Sequence, residues 1–179
     1  MIKVKILKEN KILNPLDDFL VEISWWQKRG IATVLDREDL KYYFNNAEVK
    51  NMHHSEMEDI SNCYNSLVRG NTQEEKFESL FEAYLKDKRG PMEQRADTDD
   101  GKREYLNKLM ESVINRSCPA SVIVNIPEVG RFMAGGRTRA ALAKVADIPM
   151  HVKNIILPTD SLLSKEMAIK ALQDTTIKE

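Results

Sequence analysis

The stretch Arg131-Phe-Met-Ala-Gly-Gly-Arg-Thr-Arg-Ala-Ala-Leu-Ala-Lys144 constrains the fold of this chain more than any other. It reads as a short strand that passes through a double glycine into a helix, with four cationic side chains and no acidic one. Glycine lets the backbone turn tightly and lets a ligand approach it closely. The first N–H groups of a helix lack intrahelical partners, so they point at whatever lies before the helix. Helix dipole and arginines together favour an anion there. Gly135, Gly136, Arg137, Thr138 and Arg139 are therefore the candidate anion-binding residues.

The elements on either side fix the context. Pro119 precedes Ser121-Val-Ile-Val-Asn-Ile126, the clearest strand in the chain. Pro127 to Gly130 is hairpin-turn material, so Arg131 to Ala134 is expected to return antiparallel. After the glycine-led helix, Asp147-Ile-Pro149 leads into a strand over Met150 to Ile156, and Thr159-Asp160 caps a helix over Ser161 to Gln173. Upstream, a helix runs from about Lys102 to Asn115, with either Tyr105, Leu109 and Val113 or Leu106, Met110 and Ile114 as its buried face.

The first half is more varied. Met1 to Leu7 alternates like a half-buried strand. Asn14-Pro15 marks a turn, and Leu16 to Gly30 fits a strand or a short amphipathic helix. Of Trp25 and Trp26, one is expected to anchor the core and the other to be a partly covered surface ring. Asp36 caps a helix carrying Leu40, Tyr43 and Phe44. A strand over Ala47 to Met52 leads to His53-His54-Ser55-Glu56, where Ser55 is placed to cap a helix with Met57, Ile60, Tyr64 and Leu67 on one face, closed by Gly70. Thr72 with Glu75 forms a capping-box signature ahead of Phe77, Leu80, Phe81, Tyr84 and Leu85, and Gly90-Pro91 stops that helix. The acidic stretch from Gly90 to Arg103 reads as a mobile loop; Asp97, Asp99 and Asp100 lack the regular spacing and closing glutamate of a calcium loop.

The expected fold class is α+β, a small mixed sheet flanked by helices. Residues 1–179 are read as a single domain, with a helical insertion or cap at about 57–101 and the motif-bearing core at about 102–157. The length of 179 residues, an apolar share of 42% and a charged share of 31% are ordinary for a soluble globular protein, and no apolar run approaches membrane-spanning length. The formal net charge of −1 means that any contact with nucleic acid uses a local patch. Cys63 and Cys118, in a chain with no secretory signal, predict a reduced, cytoplasmic protein.

The order helix, proline, hydrophobic strand, turn, short strand, Gly-Gly-Arg-Thr-Arg-Ala-Ala, helix, Ile-Pro, strand resembles the ParB/sulfiredoxin superfamily over roughly Leu106 to Ile156. The resemblance implies that the glycines and arginines of the motif bind nucleotide phosphates. Sulfiredoxins carry a catalytic cysteine in Gly-Gly-Cys-His-Arg, where this chain has Arg137, so sulfinic acid reduction is not implied. ParB partition proteins carry Gly-Glu-Arg-Arg, matched at Gly136 and Arg139, and usually continue into a helix-turn-helix region. The free serine kinases place a Gly-x-Thr-Arg pattern where this chain has Gly136-Arg137-Thr138-Arg139. Their motif's leading aspartate corresponds to Gly135. They also use a glutamate after an early strand as the base for the substrate hydroxyl, a place that His54-Ser55-Glu56 resembles.

The resemblance implies an ATP-dependent phosphotransferase acting on a hydroxyl of a small molecule or of nucleic acid. ATP or another nucleoside triphosphate would be held by Gly135 to Arg139, with magnesium carried by the nucleotide. Glu56 would be the catalytic base with His54 beside it, and His53 and Ser55 would contact the substrate. The alternatives are a non-catalytic ParB-like nucleotide-binding module working through DNA or protein partners, and a ParB-like nuclease, which lacks an evident cluster of metal-binding carboxylates. His53-His54 has no second pair of ligands at zinc spacing, so no metal site is expected there. The loops of P-loop enzymes and the elbow of serine hydrolases are absent from the sequence.

Overall fold

A computed structural model describes residues 14–29, 35–86 and 95–174. The strand expected over Met1 to Leu7 and the Gly90-Pro91 helix stop lie outside these residues. Among the described residues the chain forms a four-stranded mixed sheet with six α-helices, so the expected α+β class holds.

The first four helices each begin on a side chain that the sequence supplies. α1 (Pro15–Lys28) starts on Asn14, whose Oδ1 accepts from the N–H groups of Leu16 and Asp17, with Pro15 in the first turn. The ambiguous stretch is thus a helix: Phe19, Leu20, Ile23 and Trp26 face inward at helical spacing. Trp26 stacks on Phe132 with ring centroids 4.3 Å apart, and Trp25 stays 53% exposed. α2 (Arg37–Asn45) begins with a capping box between Asp36 and Asp39. α3 (Gln73–Lys86) follows Thr72, whose hydroxyl accepts from Glu75 N–H at 3.1 Å. α4 (Asp99–Ile114) starts on Thr98. The acidic segment is therefore shorter than expected, because Asp99 and Asp100 form the first turn of α4, where the helix dipole favours them.

The sheet order is β1-β4-β2-β3, with β1 at Glu48–Met52, β2 at Ser121–Ile126, β3 at Gly130–Gly135 and β4 at Met150–Ile156. β2 and β3 are the expected antiparallel hairpin. β4 runs parallel to β2 through the connecting helix α5 (Arg137–Ala146) and antiparallel to β1. α6 (Lys165–Asp174) starts after Ser164, later than the expected Ser161, because Thr159–Ser161 form a separate short 3-10 turn.

Both faces of the sheet are covered, because strand residues alternate between two cores. Ile123, Met133 and Val152 pack with α3, α4 and α5 on one face. Val122, Val124, Phe132 and Ile155 pack with α1, α2 and α6 on the other. β1 is the exception: at the sheet edge, all of it but Met52 is exposed.

The helix expected after Ser55 does not form. Residues His54–Met57 and Tyr64–Leu67 are separate 3-10 turns. Between them Asn62 takes a left-handed conformation, φ 59°, and Ser61 bridges to Phe132 at the outer side of β3. Met57 and Ile60 are buried because this segment crosses the same face as α5, not because they line a helix. Of the insertion expected at about 57–101, only α3 and the start of α4 are α-helical among the described residues.

Candidate functional site

The double glycine sits where β3 hands over to α5. Gly136 is the N-cap of α5 with φ 75°, and among the described residues no side chain caps the helix. The first turn therefore presents N–H groups that no side chain satisfies, which is the arrangement that favours an anion. A Cβ at Gly136 would fall 2.2 Å from Ser121 Oγ. Ser121 occupies that space to donate its hydroxyl to Gly136 O at 2.9 Å, tying the start of β2 to the turn.

The two motif arginines have distinct roles. Arg139 is 2% exposed. It donates through Nη1 to Pro119 O and to Ala120 O, and its Nη2 lies 3.7 Å from Asp18 Oδ2. Burial pulls its guanidinium below the ordinary value, with Asp18 opposing. This side chain pins the segment before β2 to the helix start, and it does not project as an anion ligand. Arg137 lies nearer the rim and donates to Glu22 Oε2 at 2.7 Å. Among the described residues its buried Nε finds no hydrogen-bond partner. Thr138 turns the other way: its Oγ1 accepts from Tyr84 OH at 2.9 Å. Burial pushes the Tyr84 phenol far above its ordinary value, so it stays a donor.

Asp18 and Glu22 are spaced by four residues on α1 and so share one face of it. Each neutralises one motif arginine. Asp18 also backs the turn directly, since a Cβ at Gly135 would fall 2.7 Å from Asp18 Cβ. Neither carboxylate was expected at the site. Asn14-Pro15 ahead of Leu16 was a legible helix start, and reading it as one would have placed both on a common face.

His53, His54, Ser55 and Glu56 gather elsewhere. Nε2 of His53 and Nε2 of His54 each lie 3.0 Å from Asp147 Oδ1. Asp147 is the C-cap of α5, in the left-handed region with φ 52°. Hydrogen bonds from His53 and then His54 hold its carboxyl below the ordinary value. Glu56 turns back along the chain, its Oε2 accepting from His53 N–H at 2.8 Å, and Arg131 donates to Glu56 O at 3.0 Å. Ser55 Oγ lies 2.9 Å from His53 Nδ1.

The two groups thus sit at opposite ends of α5, a helix of 10 residues and so about 15 Å long. Among the described residues no hydrogen bond or ion pair joins residues 53–56 to residues 135–139. The shallow depression that reaches Arg139 is lined by Cys118, Pro119, Met150 and His151 among others, and by none of residues 53–56. A catalytic pairing of Glu56 with Arg139 in one cleft is therefore absent from this arrangement.

No protein-family model, curated protein or solved structure matches the chain.

Proposed function

We propose that this chain is a nucleotide-binding module that seats phosphate groups at the N-terminus of α5. One observation carries the reading: among the described residues, Gly136 opens α5 in a left-handed turn without a side-chain cap, beside an arginine whose Nε has no hydrogen-bond partner. Arg137, with the N–H groups of the first turn, holds the phosphate, and magnesium arrives with the nucleotide. Arg139 and Thr138 build the turn from behind. Glu22 keeps the Arg137 guanidinium in place without ligand and competes with the phosphate for it.

The test is a thermal-shift panel of ATP, ADP, CTP and GTP with magnesium. At least one nucleotide is expected to raise Tm, the shift being lost in Arg137→Ala and enlarged in Glu22→Gln, which frees the guanidinium. No shift with any of the four overturns the proposal, as does a shift that Arg137→Ala leaves intact.

A second reading, ATP-dependent transfer of phosphate to a hydroxyl acceptor, has one observation in its favour. Asp18 places a carboxylate against Gly135, the position at which the kinases that the motif resembles carry an aspartate. In this reading Asp18 supplies that carboxylate, whereas Glu56 serves as a cap. Conversion of ATP to ADP with a hydroxyl acceptor, abolished by Asp18→Asn and retained by Glu56→Gln, is the expected pattern. Loss of turnover in Glu56→Gln alone would reject it.

A further inference from the structure

The C-terminal end of α5 carries a donor set that nucleotide binding does not use. Two imidazole nitrogens converge on one carboxylate oxygen, each at 3.0 Å, and the three atoms lie within 4.8 Å of one another. We propose that His53 Nε2, His54 Nε2 and the Asp147 carboxylate bind one divalent first-row transition-metal ion of the zinc class.

The donor chemistry selects the ion. Two imidazoles and a carboxylate suit zinc and its neighbours in the series, whereas magnesium and calcium prefer oxygen ligands throughout. The two nitrogen-to-oxygen spacings of 3.0 Å also fit, and the two rings close on each other from a separation of at most 4.8 Å when the ion binds. With bonds of about 2.0–2.2 Å to nitrogen and oxygen, neighbouring ligand atoms around one ion lie about 3.0–3.4 Å apart.

The chain holds two of the three donors from the backbone outward. Asp147 is fixed by its place as the α5 C-cap, its N–H bonded to Ala143 O and Lys144 O. His53 is fixed by Glu56, which caps its N–H, and its Nδ1 faces the Ser55 hydroxyl. His53 Nδ1 accepts from Ser55 N–H at 3.3 Å, so without an ion Nε2 carries the ring proton toward Asp147, and an ion bound there takes the place of that proton. His53, His54 and Asp147 side chains are 38%, 25% and 66% exposed, so an ion has a path in and water completes its coordination. The ion would join the end of β1 to the end of α5, two elements that the sequence sets far apart.

The experiment uses tag-free full-length protein, stripped with chelator and titrated calorimetrically with zinc chloride, with cobalt(II) absorption as a second readout. One ion per chain is expected. His54→Gln and Asp147→Asn are each expected to weaken binding at least about tenfold and to remove the cobalt bands. His151→Ala, which alters the only other histidine, is expected to leave both readouts unchanged. Asparagine accepts the left-handed conformation of position 147, so Asp147→Asn tests the site even if His54→Gln does not fold. Absence of binding to the wild-type protein overturns the proposal. So does an affinity unchanged in folded Asp147→Asn, which would place the ion elsewhere.

Discussion

The Cβ of Asp18 lies beneath Gly135 so closely that a methyl group there would approach it to 2.7 Å. The obstacle is the root of a helical side chain, not its flexible tip. Gly135→Ala must therefore push α1 away from β3, and a destabilisation of about 1–3 kcal/mol is expected from such overpacking. Urea unfolding measures it. An unchanged midpoint would mean that α1 does not press on the turn.

Arg139→Ala leaves Pro119 O and Ala120 O without their guanidinium donor and takes the opposing charge from Asp18. Breaking a buried charged network from one side typically costs about 3–5 kcal/mol. The expected outcome is a large loss of Tm without any ligand present. This distinguishes Arg139 from Arg137, whose replacement is expected to act chiefly on nucleotide binding.

Tyr84→Phe removes a single buried hydrogen bond, to Thr138 Oγ1. A loss of about 1 kcal/mol is expected. Thr138→Val should cost more than Tyr84→Phe, because it strands the phenol of a fully buried ring. Equilibrium unfolding of the two variants and the double variant yields their coupling.

Asp147 sets a pH dependence. Its carboxyl is held below the ordinary value by His53 and His54. A carboxyl depressed in the folded state contributes stability that is fully present above its unfolded value, about 3.9, and lost as pH falls through the lower folded one. With chelator present, the Tm gap between wild type and Asp147→Asn is therefore expected to narrow as pH drops from about 5 to about 2. A gap that widens over that range would contradict the arrangement.

Local chemistry was legible where one or two residues decide it. The hairpin, the caps at Asp36 and Thr72, and the glycine-led entry to α5 all follow from residue types at fixed offsets. The same logic failed at Met57, Ile60, Tyr64 and Leu67. Their spacing imitates a helix, yet Met57 and Ile60 are buried, and Tyr64 and Leu67 half-buried, by a chain that crosses the sheet in two tight turns. Tertiary contact there outweighs periodicity. The candidate site was half legible for a related reason. The motif arginines announce a positive cluster, but their partners Asp18 and Glu22 lie more than a hundred residues upstream. A cation's role depends on which carboxylate reaches it. His53 and His54 likewise gave no hint of Asp147, since spacing along the chain cannot show a ligand brought in by the end of another helix.

The exposed edge position of β1 bears on the order in which the molecule assembles and loosens. The segment Ser121–Ile156 contains a hairpin, its helix and the adjoining parallel strand, all close in sequence, whereas β1 joins β4 only after a long loop has closed. Loop closure of that kind is entropically costly and slow. β1 is therefore expected to dock late and to detach first, its amides exchanging with solvent through a local opening well before those of β2. Such an opening carries His53 and His54 away from Asp147, so whatever bridges those three side chains would act as a latch on the last strand to arrive.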